Sequence, residues 1–214
     1  MNPQLNIDLT LLEEELRKRI ALPEVWHYKY IPQYEEQIAF VYDSYKFDQI
    51  QSKLNRLPRE VKRYGLNRWY NFWSNQAILQ IFALHPKVNR KISEENSQDL
   101  FTIQYTDFKI KSLVFPYSFS RTLRYAISHK EELVYWLYRK FIHRPHQQGH
   151  NAIFIIFYHR NGEHWKLKAQ LSGLKRTVHS YLDNFDLYRL LRIHFPDNRF
   201  FYTDVLWFIE GEDE

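Results

Sequence analysis

Cysteine is absent from this 214-residue chain, which excludes disulfide bridges, cysteine-ligated zinc, iron–sulfur clusters and thiol nucleophiles. Glycine and proline are scarce, with 5 and 8 residues, so collagen-like and linker-dominated chains are excluded as well. Apolar runs stay far below the length of a membrane span, and the N-terminal residues lack the basic and apolar order of a secretory signal. We therefore expect no membrane association and a cytoplasmic location.

The short motifs of several large enzyme classes are missing too. The chain has no Walker-type phosphate loop, no Gly-x-Ser-x-Gly elbow and no dinucleotide-binding glycine pattern. We therefore predict that it uses no nucleotide cofactor.

What the chain does contain is apolar and aromatic material for a packed core, with 16 Tyr, 16 Phe and 6 Trp. Its formal net charge is +5, and the cations concentrate in residues 53–68 and 108–146 while acids gather elsewhere. Such separation is typical of a polyanion-binding face, although solvated helix surfaces look similar. The candidate nucleic-acid contacts are Arg63, Arg68, Arg121, Arg124, Arg139 and Arg144.

Hydrophobic periodicity divides the chain into a helical first part and a mixed second part. We predict helices up to Pro23, over 33–55, and over 59–84 with an interruption near Gly65. The second part is predicted to contain strands at 99–103 and 107–115, a helix from a Ser128–Glu131 capping box to 142, a buried central strand at 151–158, a returning hairpin strand at 164–169, a helix at 171–184 and strands at 187–195 and 200–209. The predicted class is α/β (α+β), a mixed central sheet flanked by helices. Residues 1–66 would form an N-terminal helical region packed on a core of residues 67–214, and the two would make one continuous domain.

The segment from Ser97 to Pro116 carries the chemistry. Polar and apolar residues alternate, so Asp107, Lys109 and Lys111 share one face of a strand. A turn centred on Ile103 would place Asp99 directly opposite Asp107, and two carboxylates that close favour a bound divalent cation. An ordinary amphipathic edge strand with two unremarkable acids is the alternative.

At these residues the sequence resembles the PD-(D/E)xK nuclease superfamily, which has the restriction-endonuclease-like fold. That pattern places an acid at the start of one strand and an acid-x-Lys element on the next, after a helix. Asp99 takes the first position, with Gln98 where many members have Pro, and Asp107-Phe108-Lys109 takes the second. The preceding helix offers Gln76 and Gln80 where many members have Glu. Glu94 or Glu95 would be its substitute.

The resemblance implies a Mg²⁺-dependent DNA endonuclease, with Mn²⁺ as a substitute metal. Asp99, Asp107 and the Phe108 carbonyl would hold the ion, and Lys109 would complete the catalytic set. Auxiliary roles would fall to Gln80, Gln76 and Lys111. A homodimer is left open. The alternatives are a catalytically weakened nucleic-acid-binding module of the same fold and a non-enzymatic protein-interaction domain.

Two further patterns have competing interpretations. Imidazoles at His143, His146 and His150 suit zinc, or, together with Arg144, a loop that contacts phosphate. The aromatic stretch from Trp69 to Trp73 suits base stacking or, as is common for aromatic residues on a helix, a packed core.

Overall fold

The computed structural model describes residues 7–23, 30–92, 99–142, 150–194 and 200–210. The chain divides into two compact units. The first comprises Met1–Gln80 and Lys168–Lys175, and the second comprises Ile81–Leu167 and Arg176–Glu214.

The first unit is helical in its described residues, as the periodicity predicts. Asp8 caps the first helix, because its side chain accepts hydrogen bonds from the backbone N–H groups of Thr10 and Leu11. The helices are α1 (Leu9–Ile20), α2 (Pro32–Glu35), a 3₁₀ helix (Glu36–Tyr42), α3 (Phe47–Leu54) and α4 (Arg59–Ala83), which continues into the second unit.

The predicted interruption near Gly65 is wrong, since α4 runs through this position without a break. The glycine is explained by packing instead. A Cβ at Gly65 would lie 2.5 Å from Leu54 Cδ2 and 3.2 Å from Ile38 Cγ2. Gly65 therefore lets two neighbouring segments approach the α4 backbone closely.

The second unit contains a mixed six-stranded sheet. Its spatial order is β1-β2-β3-β4-β6-β5. Strands β1, β2 and β3 are antiparallel neighbours, β4 runs parallel to β3 and to β6, and β5 is antiparallel to β6. The strands are β1 (Val88–Ile92), β2 (Asp99–Ile103), β3 (Thr106–Val114), β4 (Ala152–His159), β5 (Leu191–His194) and β6 (Phe200–Glu210).

The structure confirms the buried central strand, because β4 has a neighbour on both edges and its first six residues are buried. The returning hairpin strand is wrong. Gly162 does adopt the positive φ of a turn, at 79°, but His164–Ala169 is a 3₁₀ helix. Both edges of β4 already pair with β3 and β6, so no edge is left for a returning strand.

Helices cover both faces of the sheet within the second unit. On one face, Leu133, Val134 and Leu137 pack with Ala152 and Phe154 of β4. On the other face, Phe82 contacts Phe101 and Phe108 contacts Phe185. The helices are α5 (Leu123–Ser128), α6 (Lys130–Leu137), a π-helix (Tyr138–Ile142) and α7 (Leu171–Asp183), which begins in the first unit.

The mixed sheet flanked by helices is thus confirmed at the level of fold class, with local differences. The capping box is wrong, because Ser128 ends α5 and donates to the carbonyls of Arg124 and Tyr125. Strand β1 was not predicted at all.

Among the described residues, every helix falls short of the length or apolar character that crossing a membrane requires.

Candidate functional site

The hairpin between β2 and β3 sets the geometry of the candidate site. Its turn has only two residues, Gln104 and Tyr105, with positive φ values of 46° and 65°. This backbone is usually built with Asn or Gly, which is why the turn was hard to place from sequence. The register pairs Phe101 with Phe108 and Thr102 with Asp107.

The predicted opposition of Asp99 and Asp107 is therefore wrong. Side chains alternate between faces along a strand, so Asp99 lies on the face of Phe101, while Asp107 lies on the face of Thr102. Asp99 instead accepts a 2.7 Å hydrogen bond from Arg90 Nε. The two acids point to opposite sides of the sheet, so the predicted two-carboxylate metal site with the Phe108 carbonyl is not assembled.

Asp107 is held by two neighbours from the adjacent strands. Thr102 Oγ1 donates to its Oδ1 at 2.6 Å, and Lys91 Nζ lies 2.6 Å from its Oδ2. Burial by itself raises the pKa of Asp107, but the hydrogen bonds from Lys91 and Thr102 outweigh it and lower the pKa below its usual value. The carboxylate is ionised and remains about two-fifths exposed.

Lys109 and Lys111 lie two and four residues after Asp107 on β3, so their side chains occupy the same face as that of Asp107. Lys109 is only 8% exposed, and Lys111 is partly buried. Burial and the neighbouring charge of Lys111 lower the pKa of Lys109, and burial lowers that of Lys111. Within the part of the chain that the structure describes, neither ammonium group has a carboxylate or hydrogen-bond partner. Lysines are rarely buried without one.

Asn151 fixes the start of β3 in the sheet. Its carbonyl accepts from the backbone N–H of Lys109 at 2.9 Å, and its side-chain amide donates to the carbonyl of Asp107 at 3.0 Å. Its side-chain oxygen accepts from the backbone N–H of Tyr202 at 2.9 Å. Asn151, which directly precedes β4, thereby links β3 and β6 at the level of Asp107 and Lys109.

Sequence reasoning missed Lys91, Thr102 and Asn151. Lys91 lies in the unpredicted strand β1, and Thr102 became the partner of Asp107 only through the unexpected register. Asn151 did carry a signal, since a polar residue directly precedes the apolar run of β4.

The predicted auxiliary glutamines lie in the first unit. Gln80 is buried, and its amide accepts from the N–H of Ile7 at 3.0 Å and donates to the carbonyl of Ile7 at 2.7 Å. This pair of bonds anchors the chain before α1, which gives Gln80 a structural task. Gln76 is partly buried on the same helix.

The predicted nucleic-acid arginines differ in how free they are. Arg68 is already engaged, because its Nε lies 2.7 Å from Glu35 Oε1 and donates to the Tyr42 hydroxyl at 3.0 Å. A phosphate at Arg68 would have to compete with Glu35 in this conformation, and its assignment as a phosphate contact stays a prediction. Arg144 lies outside the described residues. The remaining four are exposed: Arg63, Arg121, Arg124 and Arg139.

The rival patterns receive little support. Trp69 and Trp73 are fully buried, so they belong to the core and do not offer a stacking surface. His143 and His146 lie outside the described residues, as do Glu94, Glu95 and Gln98. In the described ranges, no group of three or more His, Asp or Glu side chains is placed to hold a metal ion.

Comparison with known proteins adds no identification. No family model, no curated protein and no solved structure matches this chain.

Proposed function

We propose that the protein binds the phosphodiester backbone of nucleic acid, with DNA as the expected form, at Lys109 and Lys111. The observation that carries this proposal is the pair of partly buried ammonium groups without an anionic partner in the described structure. Along a strand, such alternate residues lie about 7 Å apart, so their charges repel each other. A phosphate placed between them would relieve both the repulsion and the cost of burial.

A polymeric anion suits this surface better than a small one. Lys109 and Lys111 place two cations on one strand face, and the whole chain carries a net charge of +5. Phosphates repeat along a nucleic-acid strand, so cations at several points can bind one ligand at the same time.

The order of elements supports the resemblance to restriction-like nucleases. Helix α4 precedes the strands β1 to β3, α5 and α6 follow, and the central strand β4 comes next. This is the order expected for that fold around an acid-x-Lys element. Of the alternatives that the resemblance allows, we propose the catalytically weakened binding module, because the two acids lie on opposite faces.

Phosphodiester hydrolysis is the second candidate function. One observation favours it, namely that Asp107 and Lys109 share a face at the start of β3, as an Asp-x-Lys element requires. The described residues do not fit a magnesium ion, because they provide one carboxylate there and it already pairs with Lys91. No catalytic step through a metal is therefore assigned.

Fluorescence anisotropy with a labelled DNA duplex tests the binding proposal. The double substitution Lys109→Met/Lys111→Met should weaken binding and lower the salt slope by about two units, since each phosphate-contacting lysine contributes about one. The matched control is Lys46→Met/Lys175→Met, which removes two exposed lysines outside the basic segments 53–68 and 108–146. An unchanged salt slope in the β3 variant would refute phosphate binding at this site. Wild-type affinity that does not depend on salt concentration would refute it as well.

Incubation of the wild type with a broad panel of DNA substrates and Mg²⁺ or Mn²⁺ tests hydrolysis. Under the second candidate, Lys109→Ala should reduce cleavage about 10²–10³-fold, the usual effect of one catalytic electrostatic contact. Calorimetry should also show Mn²⁺ binding that Asp107→Ala abolishes. Normal DNA binding without any cleavage would eliminate the nuclease and leave the binding proposal intact.

A further inference from the structure

A second basic surface lies on the outer side of the α5–α6 layer in the second unit. Leu133, Val134 and Leu137 face the sheet, Trp136 packs against the same core at its margin, and Tyr135 is exposed. There an open groove of about 670 Å³ is lined chiefly by Phe119, Arg121, Tyr135, Trp136, Arg139 and Lys140. The groove uses none of the residues of the β3 site.

The groove carries more positive charge than the protein itself neutralises. Among the described residues, Arg121, Arg139 and Lys140 form no ion pair, and all three are exposed. Glu132 is the one acid in the lining, and it accepts a 2.6 Å hydrogen bond from the Tyr125 hydroxyl. Arg121 lies over the ring of the same tyrosine, 5.1 Å from its centroid. The cations are therefore available to an anionic ligand.

Aromatic side chains lie between these cations. Tyr135 is 42% exposed, and the Trp136 ring meets the Phe119 ring edge-on at 5.7 Å between centroids. The Phe119 contact orients the indole. Arg139 and Lys140 belong to the π-helix that follows α6, and π-helical turns frequently occur at functional sites.

We infer that this groove binds single-stranded nucleic acid, with a base stacked on Tyr135 and the adjoining phosphates on Arg121, Arg139 and Lys140. Unpaired bases expose the ring faces that stack on aromatic side chains, whereas a duplex buries those faces. An acidic peptide would use the cations but would gain little from the aromatic rings. The inference rests on the proposed nucleic-acid binding and adds to it a preference for unpaired strands.

Photocrosslinking of a short oligothymidylate carrying 5-iodouracil tests the groove directly. The adduct should map by mass spectrometry to the peptide that contains Tyr135 and Trp136. The adduct should persist in Lys109→Met/Lys111→Met, so the test of the groove does not depend on phosphate binding at the β3 site. Tyr135→Ala/Arg139→Ala should lose the adduct and weaken oligothymidylate binding about tenfold or more, since each stacked base contributes substantially.

The matched control is Arg176→Ala/Tyr188→Ala, which removes an exposed arginine and an exposed tyrosine outside the groove. It should bind oligothymidylate as the wild type does. Equal loss in the control, an adduct that maps elsewhere, or a duplex that competes as well as the single strand would overturn the inference. Displacement by a poly-glutamate peptide at equal charge concentration would also overturn it, in favour of an acidic protein partner.

Discussion

Lys168 in the first unit and the pair Lys109 and Lys111 in the second unit differ in what surrounds them. Lys168 in the first unit is 4% exposed, and its ammonium donates to Asn71 Oδ1 at 3.2 Å and to Asn75 Oδ1 at 3.3 Å. Burial lowers its pKa to about 8. In the second unit Lys109 is 8% exposed and Lys111 is partly buried, yet the described structure provides them with no acceptor.

The difference separates a structural lysine from a ligand-binding one. Asn71 and Asn75 are one helical turn apart on α4, so the fold itself supplies two oxygens for Lys168. On β3 the corresponding acceptors are absent among the described residues, and the neighbouring Lys91 and Asp107 are open to solvent. A buried charge without a partner is costly, and a phosphate is the partner that we expect here.

The largest expected effect concerns the pH dependence of stability through Lys168. Its pKa is about 8 in the folded protein against about 10.5 in the unfolded chain, so the unfolded state binds the proton more tightly. The contribution of Lys168 to the free energy of unfolding should therefore rise by about 3 kcal/mol as pH increases from below 8 to above 10.5. Urea denaturation of the wild type and Lys168→Met should show a stability difference that changes by this amount over that range, and a difference that does not depend on pH would contradict the assignment.

The next effect in size is a loss of stability when one hydrogen-bond acceptor of Lys168 is removed. Asn71→Ala leaves a buried ammonium short of a hydrogen bond, so the free energy of unfolding at pH 7 should fall by about 2 kcal/mol. Asn184→Ala is the control, because that asparagine is exposed and bonds only to a nearby carbonyl. Comparable losses in both variants would mean that the Lys168 contacts are not special.

The smallest expected effect has the opposite sign. Lys109→Met removes a partly buried charge that has no partner in the described structure. The free energy of unfolding of the unliganded protein should therefore increase by about 0.5 kcal/mol. Denaturation without nucleic acid measures this change. A clear loss of stability would show that Lys109 has a structural role like that of Lys168, and the contrast between the two units would disappear.

The sequence predicts most elements of the second unit because their patterns are local. Alternation in β3 and the unbroken apolar run of β4 identify both strands, and the structure confirms them. Strand β1 escaped prediction because its polar centre, Asn89-Arg90-Lys91, has no strand periodicity. The role of Gly65 was predicted wrongly, because glycine is needed there for close contacts with residues distant in the sequence.

The sequence predicted part of the geometry of the candidate site. Asp107, Lys109 and Lys111 share a face as their spacing requires. Asp99 was wrongly added because the prediction depended on a turn without Gly, Asn or Asp. Placing the turn at Gln104 and Tyr105 reverses the face of Asp99 relative to Asp107, and no local pattern shows this.

The most direct test of the central claim is an NMR titration of the Lys109 side chain, followed at its Cε–Hε groups with and without a short DNA duplex. In the free protein the titration midpoint should lie below the usual lysine value, because of burial and the charge of Lys111. Binding should raise it, since a phosphate stabilises the ammonium form. A midpoint that stays the same when the duplex is bound would contradict phosphate binding at β3.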